Sequence, residues 1–283
     1  MNLSNRKILI TGGSGFLGKA LVKELLKNGN TLRVMSRDEG QLITLKEDFP
    51  SIEIYTGDIC DEFKVHQACK GMDGVFHLAA FKHVGLAEKF ALECTESNVM
   101  GSLNILRASR AHDLKFVVGI STDKAAQVAG VYGASKLLME RLFKQYEEVN
   151  PHCQYRIVRY GNVLYSTGSV LCKWKALLEE GKRCIITEPE ATRFYWSVDQ
   201  AIELIFECCD VATDSTPYCP TMKSMKVGDL FNAMVRKYGD DHTQPPQIIG
   251  LQPGENLHEK VLDEGPYSNE VPFFTIEEIM ELV

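Results

Sequence analysis

The run Ile8-Leu9-Ile10-Thr11-Gly12-Gly13-Ser14-Gly15-Phe16-Leu17-Gly18 constrains this chain more than any other stretch. A short apolar β-forming segment leads into glycines spaced G-x-x-G-x-x-G, and an amphipathic helical pattern follows, stopped by Asn28-Gly29-Asn30. Glycines there permit a tight turn and let backbone N–H groups approach a pyrophosphate at a helix N-terminus. A strand feeding a helix in this way is the opening of a parallel sheet covered by helices on both faces.

The rest of the first half keeps that rhythm. Strands are expected at Ile8–Thr11, Leu32–Ser36, Ile52–Thr56, Gly74–Leu78, Phe116–Ile120 and Tyr155–Arg159, and helices at Gly15–Asn28, Glu39–Glu47, Glu62–Cys69, Leu86–Ala111 and Tyr132–Glu148. After Arg159 the pattern weakens into loops and shorter helices, Val170–Glu180 and Val227–Lys237, with strands near Cys184–Thr187 and Gln247–Ile249. We therefore expect an α/β chain with a doubly wound parallel sheet over 1–165 and a smaller substrate-binding lobe over 166–283, the two free to exchange segments.

Composition removes other classes. The 31 basic and 38 acidic side chains of the 283 residues leave a formal charge of −7, so nothing argues for nucleic-acid binding. No apolar run reaches the roughly 18 residues that cross a bilayer, and Met1 to Lys7 lacks a secretory apolar stretch, so a cytoplasmic protein without a membrane partner is expected. Nine cysteines, an odd number without C-x-x-C spacing, read as reduced thiols packed as small hydrophobes, and no metal site is expected.

At the end of the second strand stand Ser36-Arg37 and then Asp38-Glu39. A hydroxyl and a guanidinium suit a 2′-phosphate, which favours NADP over NAD; Arg37 stacked on adenine with Asp38 reaching the ribose is the alternative. Asp58-Ile59 fits the adenine amino group. Tyr132-x-x-x-Lys136 puts a phenol and an ammonium on one helical face, the ammonium expected to lower the phenol's pKa. With Thr122 on the preceding strand, the trio resembles the short-chain dehydrogenase/reductases, whose sheet is of the Rossmann type.

Ser121-Thr122-Asp123-Lys124 adds an acid and a base to that trio. Oxidising a sugar alcohol needs one acid/base group, whereas removing water across C5–C6 needs two more, and Asp123 as acid with Lys124 as base suit those tasks. Lys124 must then be neutral, a state expected from burial, Lys136 and an oxidised nicotinamide.

These segments, with Val131-Tyr132-Gly133-Ala134-Ser135-Lys136, Arg159-Tyr160-Gly161-Asn162-Val163, Thr192-Arg193-Phe194 and Pro253-Gly254-Glu255-Asn256-Leu257-His258-Glu259, resemble the UDP-N-acetylglucosamine 4,6-dehydratases, particularly the soluble inverting kind. The resemblance implies a tightly held NADP that oxidises C4, loss of water across C5–C6, return of the same hydride to C6, and C5 inversion. It implies Tyr132 as C4 base, Asp123 as acid at the C6 oxygen, Lys124 as C5 base, and Thr122 and Lys136 as their partners.

Cofactor contacts are expected from Gly12, Ser14, Gly15, Phe16, Leu17, Gly18, Ser36, Arg37, Asp38, Asp58, Ile59, Leu78, Ala79, Lys82, Tyr132 and Lys136. Substrate contacts are expected from Lys82, Ser121, Thr122, Asn162, Gly168, Ser169, Val170, Arg193, Gln252 and Glu255, with Arg193 and Glu255 closing on the nucleotide. A homo-oligomer, a hexamer among the candidates, is also implied.

Two segments depart from that family. Ser166-Thr167-Gly168-Ser169 replaces Ser-Arg-Gly-Ser, and Gln252-Pro253-Gly254-Glu255-Asn256 replaces Arg-Pro-Gly-Glu-Lys. Two cationic contacts are thus absent, which implies weaker affinity or a different nucleotide sugar. A 4-epimerase or reductase of the same fold is the alternative activity, although neither has a use for Asp123-Lys124. A non-catalytic nucleotide sensor would not need Thr122, Tyr132 and Lys136 together.

Overall fold

A computed structural model describes residues 1–283 except Thr221 and Asp241. Strands run at β1 Lys7–Thr11, β2 Thr31–Ser36, β3 Glu53–Thr56, β4 Gly74–His77, β5 Phe116–Thr122, β6 Gln154–Tyr160, β7 Asn162–Val163, β8 Ile185–Ile186, β9 Thr192–Trp196, β10 Ser224–Lys226 and β11 Gln247–Ile248. Helices are α1 Phe16–Lys27, α2 Glu39–Asp48, α3 Glu62–Cys69, α4 Val84–Ala87, α5 Ala91–Thr95, α6 Gly101–Ala111, α7 Val131–Val149, α8 Val170–Glu179, α9 Val198–Val211, α10 Val227–Tyr238 and α11 Ile276–Leu282.

The first six strands form one parallel sheet in the order β3-β2-β1-β4-β5-β6. Strand order reverses between β1 and β4, so their carboxyl ends open the crevice where doubly wound sheets take ligands. Apolar side chains of β1 alternate between two cores. Ile8 and Ile10 join Leu21, Leu25 and Phe76 on one face, while Leu9 joins Val75, Val117 and Ile157 on the other. Both faces are covered, which explains the near-continuous apolar strands. Side-chain oxygens of Asp38 and Asp61 accept the Gln41 and Lys64 N–H groups and start α2 and α3.

The helix expected over Leu86–Ala111 is not continuous. It breaks into α4, α5, a π-helical turn over Glu96–Met100, and α6. The turn is fixed by Asn98, whose Oδ1 accepts from Phe81 N at 2.7 Å while its Nδ2 donates to Phe81 O at 2.9 Å and Ser135 Oγ at 2.9 Å. A side chain tied to two other elements outweighs the regular helical repeat and clamps the loop after β4.

A second correction concerns Thr192–Val211, which the sequence reading leaves without regular structure. Strand β9 is buried throughout and lies between β10 and β7, and α9 follows with a reciprocal Ser197–Gln200 cap. Ile202, Ile205 and Cys208 of α9 belong to the core beneath β1, so this part of the chain after 165 packs on the large sheet. The remaining lobe has its own core, with Trp174 of α8 edge-on to Phe231 of α10 at 5.2 Å between ring centres.

All nine cysteines are free thiols. Among the described residues, no helix is long and apolar enough to cross a membrane.

Candidate active site

A cavity of about 580 Å³ opens at the switch between β1 and β4. Gly12, Ser14, Gly15, Phe16, Leu17 and Gly18 line one end, with Ser36, Arg37, Asp38, Ile59, Leu78, Ala79 and Lys82; Ser121, Thr122, Lys124, Tyr132, Lys136 and Asn162 line the other. The fold thus gathers residues from the ends of all six strands of the large sheet around one space. A Cβ on Gly18 would stand 2.5 Å from Gly13 Cα and 2.6 Å from Gly12 O, so the tight packing of α1 on the turn needs glycine there. The helix start is left open toward the cavity, as a pyrophosphate cradle requires.

At the adenosine end, Ser14 Oγ donates to Ser36 Oγ at 3.0 Å. Both Asp38 carboxylate oxygens are engaged by Gln41, through its backbone N at 2.9 Å and its Nε2 at 2.8 Å. Arg37 Nη1 lies 3.4 Å from Asp58 Oδ2. Asp58 is not part of the lining. Burial pushes its carboxyl up, but the Cys60 N–H and the Arg37 guanidinium outweigh that and hold it below the usual carboxylate range.

At the other end, β5 delivers Thr122 to a single 3₁₀ turn, Asp123–Ala125. Asp123 is fully buried; its Oδ1 accepts from Thr122 Oγ1 at 2.8 Å and from Lys124 Nζ at 2.9 Å. Helix α7 packs its first turn against this segment, and a Cβ at Gly133 would stand 2.3 Å from the Lys124 carbonyl oxygen. Glycine beside Tyr132 therefore sets how closely Tyr132 approaches Lys124.

The electrostatics correct two expectations. Burial opposes a charge on Lys124, but the carboxylates of Asp123 and Glu259 outweigh it and raise its pKa above the ordinary lysine value, so Lys124 is an ammonium here. Glu259 Oε1 stands 3.5 Å from Lys124 Nζ and 3.8 Å from Arg193 Nε. Burial pushes the Tyr132 phenol up to about 12, and the cation opposing that rise is Lys124, with help from Thr122, not Lys136. Lys136 is itself lowered to about 8 by burial, its Nζ donating to Ile120 O at 2.5 Å.

Among the expected substrate residues, Lys82, Ser121, Thr122 and Asn162 reach the cavity, whereas Gly168, Ser169, Val170, Arg193, Gln252 and Glu255 are outside its lining. Lys82 Nζ donates to Thr167 O at 3.0 Å, which draws the Ser166–Ser169 loop over the rim. Arg193 does not close on that space. Its Nη1 donates to the Thr192 and Leu257 carbonyls, because β9 buries it next to Lys124. Glu255 and Gln252 instead bond to each other within one turn, Gln252 N donating to Glu255 Oε2 at 3.0 Å.

The chain matches the model of the family described as polysaccharide biosynthesis protein over residues 8–281. It belongs to that family. It is 34% identical over 263 residues to the UDP-N-acetylglucosamine 4,6-dehydratase (inverting) of Campylobacter jejuni, covering 90% of this chain and 77% of that one. It is 35% identical over 267 residues to a UDP-glucose 4-epimerase of Rickettsia bellii, covering 91% and 78%. The X-ray structure of Pen from Bacillus thuringiensis superposes with a TM-score of 0.93 at 28% identity, covering 100% of this chain and 98% of that one.

Sequence reasoning assigned no place at the site to three charged neighbours that the fold brings there: Glu259, and the buried pair Glu140 and Arg159 behind Ser121. Glu259 stands in the quoted Pro253–Glu259 motif, and its position there was the available signal. Glu140 falls on the same face of α7 as Lys136, four residues on, a spacing that could have drawn attention to it.

Proposed function

We propose that this protein is a nucleotide-sugar 4,6-dehydratase that takes UDP-N-acetylglucosamine, holds NADP, and delivers the 4-keto-6-deoxy sugar with C5 inverted. The observation that carries this reading is the 2.9 Å contact between Asp123, buried just behind the cavity wall, and Lys124, which lines the cavity with Tyr132. The kinship with the Campylobacter jejuni enzyme supports the reaction and the inversion. A homo-oligomer working in the cytoplasm completes the proposal.

The glycine turn and the long cavity fit a nicotinamide dinucleotide. When bound, that cofactor supplies a hydride acceptor for C4 and a hydride donor for C6. Ser36 and Arg37 line its ribose end, and a hydroxyl and a guanidinium suit a 2′-phosphate, which supports NADP, while Gln41 holds both oxygens of the neighbouring Asp38. Lys136, fixed by the Ile120 carbonyl, presents its ammonium toward the same space.

Tyr132 acts as a phenolate, the form that the Lys124 ammonium and the Thr122 hydroxyl favour against burial, and accepts the proton of the C4 hydroxyl. Asp123 and Lys124 share one proton between them, and its transfer from Nζ to the carboxylate creates acid and base in one step. The neutral amine takes the C5 proton, made acidic by the C4 ketone, while the carboxylic acid protonates the departing C6 hydroxyl. One water leaves, and the pair returns to ammonium and carboxylate. Lys124 then gives a proton back to C5, and the proton held by Tyr132 passes to Lys124, restoring phenolate and ammonium.

The test is incubation with UDP-N-acetylglucosamine, followed by mass and NMR analysis in deuterated water. Loss of one water, no net NADPH and deuterium at C5 are expected. The Rickettsia bellii relative favours a second reading, a 4-epimerase. An unchanged mass with C4 epimerised selects that reading and removes the first.

A further inference from the structure

Glu259 is completely buried, and among the described residues its Oε1 accepts no hydrogen bond. A buried carboxylate oxygen without a hydrogen-bond partner is costly, so its place is informative. Oε1 faces Lys124 Nζ at 3.5 Å and Arg193 Nε at 3.8 Å. The other oxygen is held by Asn256 Nδ2 at 3.3 Å, and the backbone N–H donates to Ser268 Oγ at 2.9 Å. Ser268 is in turn tied to Thr192 on β9, so the segment carrying the carboxylate is anchored to that strand.

The geometry assigns Glu259 as a positioning residue that sets the base strength of Lys124, an inference resting on the dehydratase reading above. Lys124 faces Asp123 from its own turn, Tyr132 from α7, Arg193 and Tyr195 from β9, and Glu259 from the loop after β11. Of these, Asp123 is uncharged until it has given its proton to the departing C6 hydroxyl, so it does not favour the ammonium at the moment Lys124 begins to take the C5 proton. Glu259 is the carboxylate whose charge faces Lys124 throughout the step.

Charge balances throughout. Before proton transfer the cluster holds two carboxylates and two cations. After transfer from Lys124 to Asp123, Glu259 still faces the Arg193 guanidinium, and the cluster is neutral in both states. Removing the Glu259 charge lowers the proton affinity of Lys124, making it a weaker base that is deprotonated at lower pH.

The experiment compares wild type, Glu259→Gln and Glu259→Asp as full-length, cofactor-loaded proteins. One arm follows water loss and C5 deuterium exchange against pH. The other needs no substrate: limiting acetic anhydride labels Lys124 at a series of pH values, and mass spectrometry gives the labelling midpoint.

For Glu259→Gln, the alkaline limb of kcat/KM and the labelling midpoint both fall by about one pH unit or more, and C5 exchange slows at least about tenfold. Glu259→Asp, keeping the charge one methylene further back, gives intermediate values. A uniform loss of activity with neither limb nor midpoint moved overturns the assignment. Should Glu259→Gln not fold, an unmoved midpoint in Glu259→Asp overturns it equally. If wild type releases no water from the sugar nucleotide, the dehydratase reading fails, and the midpoints still decide whether Glu259 controls Lys124.

Discussion

Glu140 and Arg159 form a buried two-point ion pair, with Arg159 Nε 2.7 Å from Glu140 Oε1 and Nη2 2.6 Å from Oε2. Ser121 Oγ donates to the same Oε1 at 2.5 Å, and Arg159 Nη1 donates to the Val261 carbonyl and to Asp263. One pair therefore joins the strand end carrying Thr122, the helix carrying Tyr132 and Lys136, and the segment just after Glu259.

Breaking that pair on one side leaves an uncompensated buried charge. Glu140→Ala is expected to lower unfolding stability by about 3–5 kcal/mol in urea titrations, and Glu140→Leu with Arg159→Met by much less. A Glu140→Ala cost under about 1 kcal/mol would contradict the assigned burial.

Lys124→Met removes the C5 base while filling similar space. Cofactor binding and C4 oxidation are expected to remain, with water loss reduced by about 10²–10⁴-fold. Product mass after long incubation checks this; wild-type rates in the variant would assign the base elsewhere.

Arg37→Ala deletes the guanidinium that faces the ribose end of the cavity. NADP affinity should fall about 10–100-fold, and NAD affinity much less, in fluorescence titrations of both dinucleotides. Equal losses would mean that Arg37 does not meet a 2′-phosphate.

His77 lies fully inside, its Nδ1 2.7 Å from Thr11 Oγ1 and its Nε2 3.0 Å from Ser102 Oγ. Burial, aided by Lys136, depresses its pKa from 6.5 to about 3. Below pH 6.5 the unfolded chain takes up a proton that the folded protein refuses. Stability present above pH 6.5 is therefore lost as pH falls toward 3, by about 2 kcal/mol at pH 5. His77→Gln should flatten that slope in urea midpoints measured between pH 7.5 and 5; an unaltered slope would place the titration in other groups.

The cofactor half of the molecule was readable because its signals are local. The Gly12–Gly18 spacing, the alternation of apolar strands with amphipathic helices, and Tyr132-x-x-x-Lys136 each depend on neighbours a few residues apart. Even there the helix expected over Leu86–Ala111 is interrupted, with Asn98 of its π-helical turn bonding to Phe81 and Ser135, which are distant in sequence. The Ser197–Gln200 cap was legible and would have located α9.

The sequence by itself determined the strand–turn–helix cradle, the sheet, and which side chains could supply an acid, a base and a phenol. Tertiary structure decided their charge. Lys124 is an ammonium because chain folding brings Glu259 to its far side while Asp123 holds the near one, and Tyr132 answers to Lys124 rather than Lys136. Proton affinity in a buried cluster depends on the sum of desolvation and every charge within a few ångströms, a sum over distant segments that no local pattern encodes.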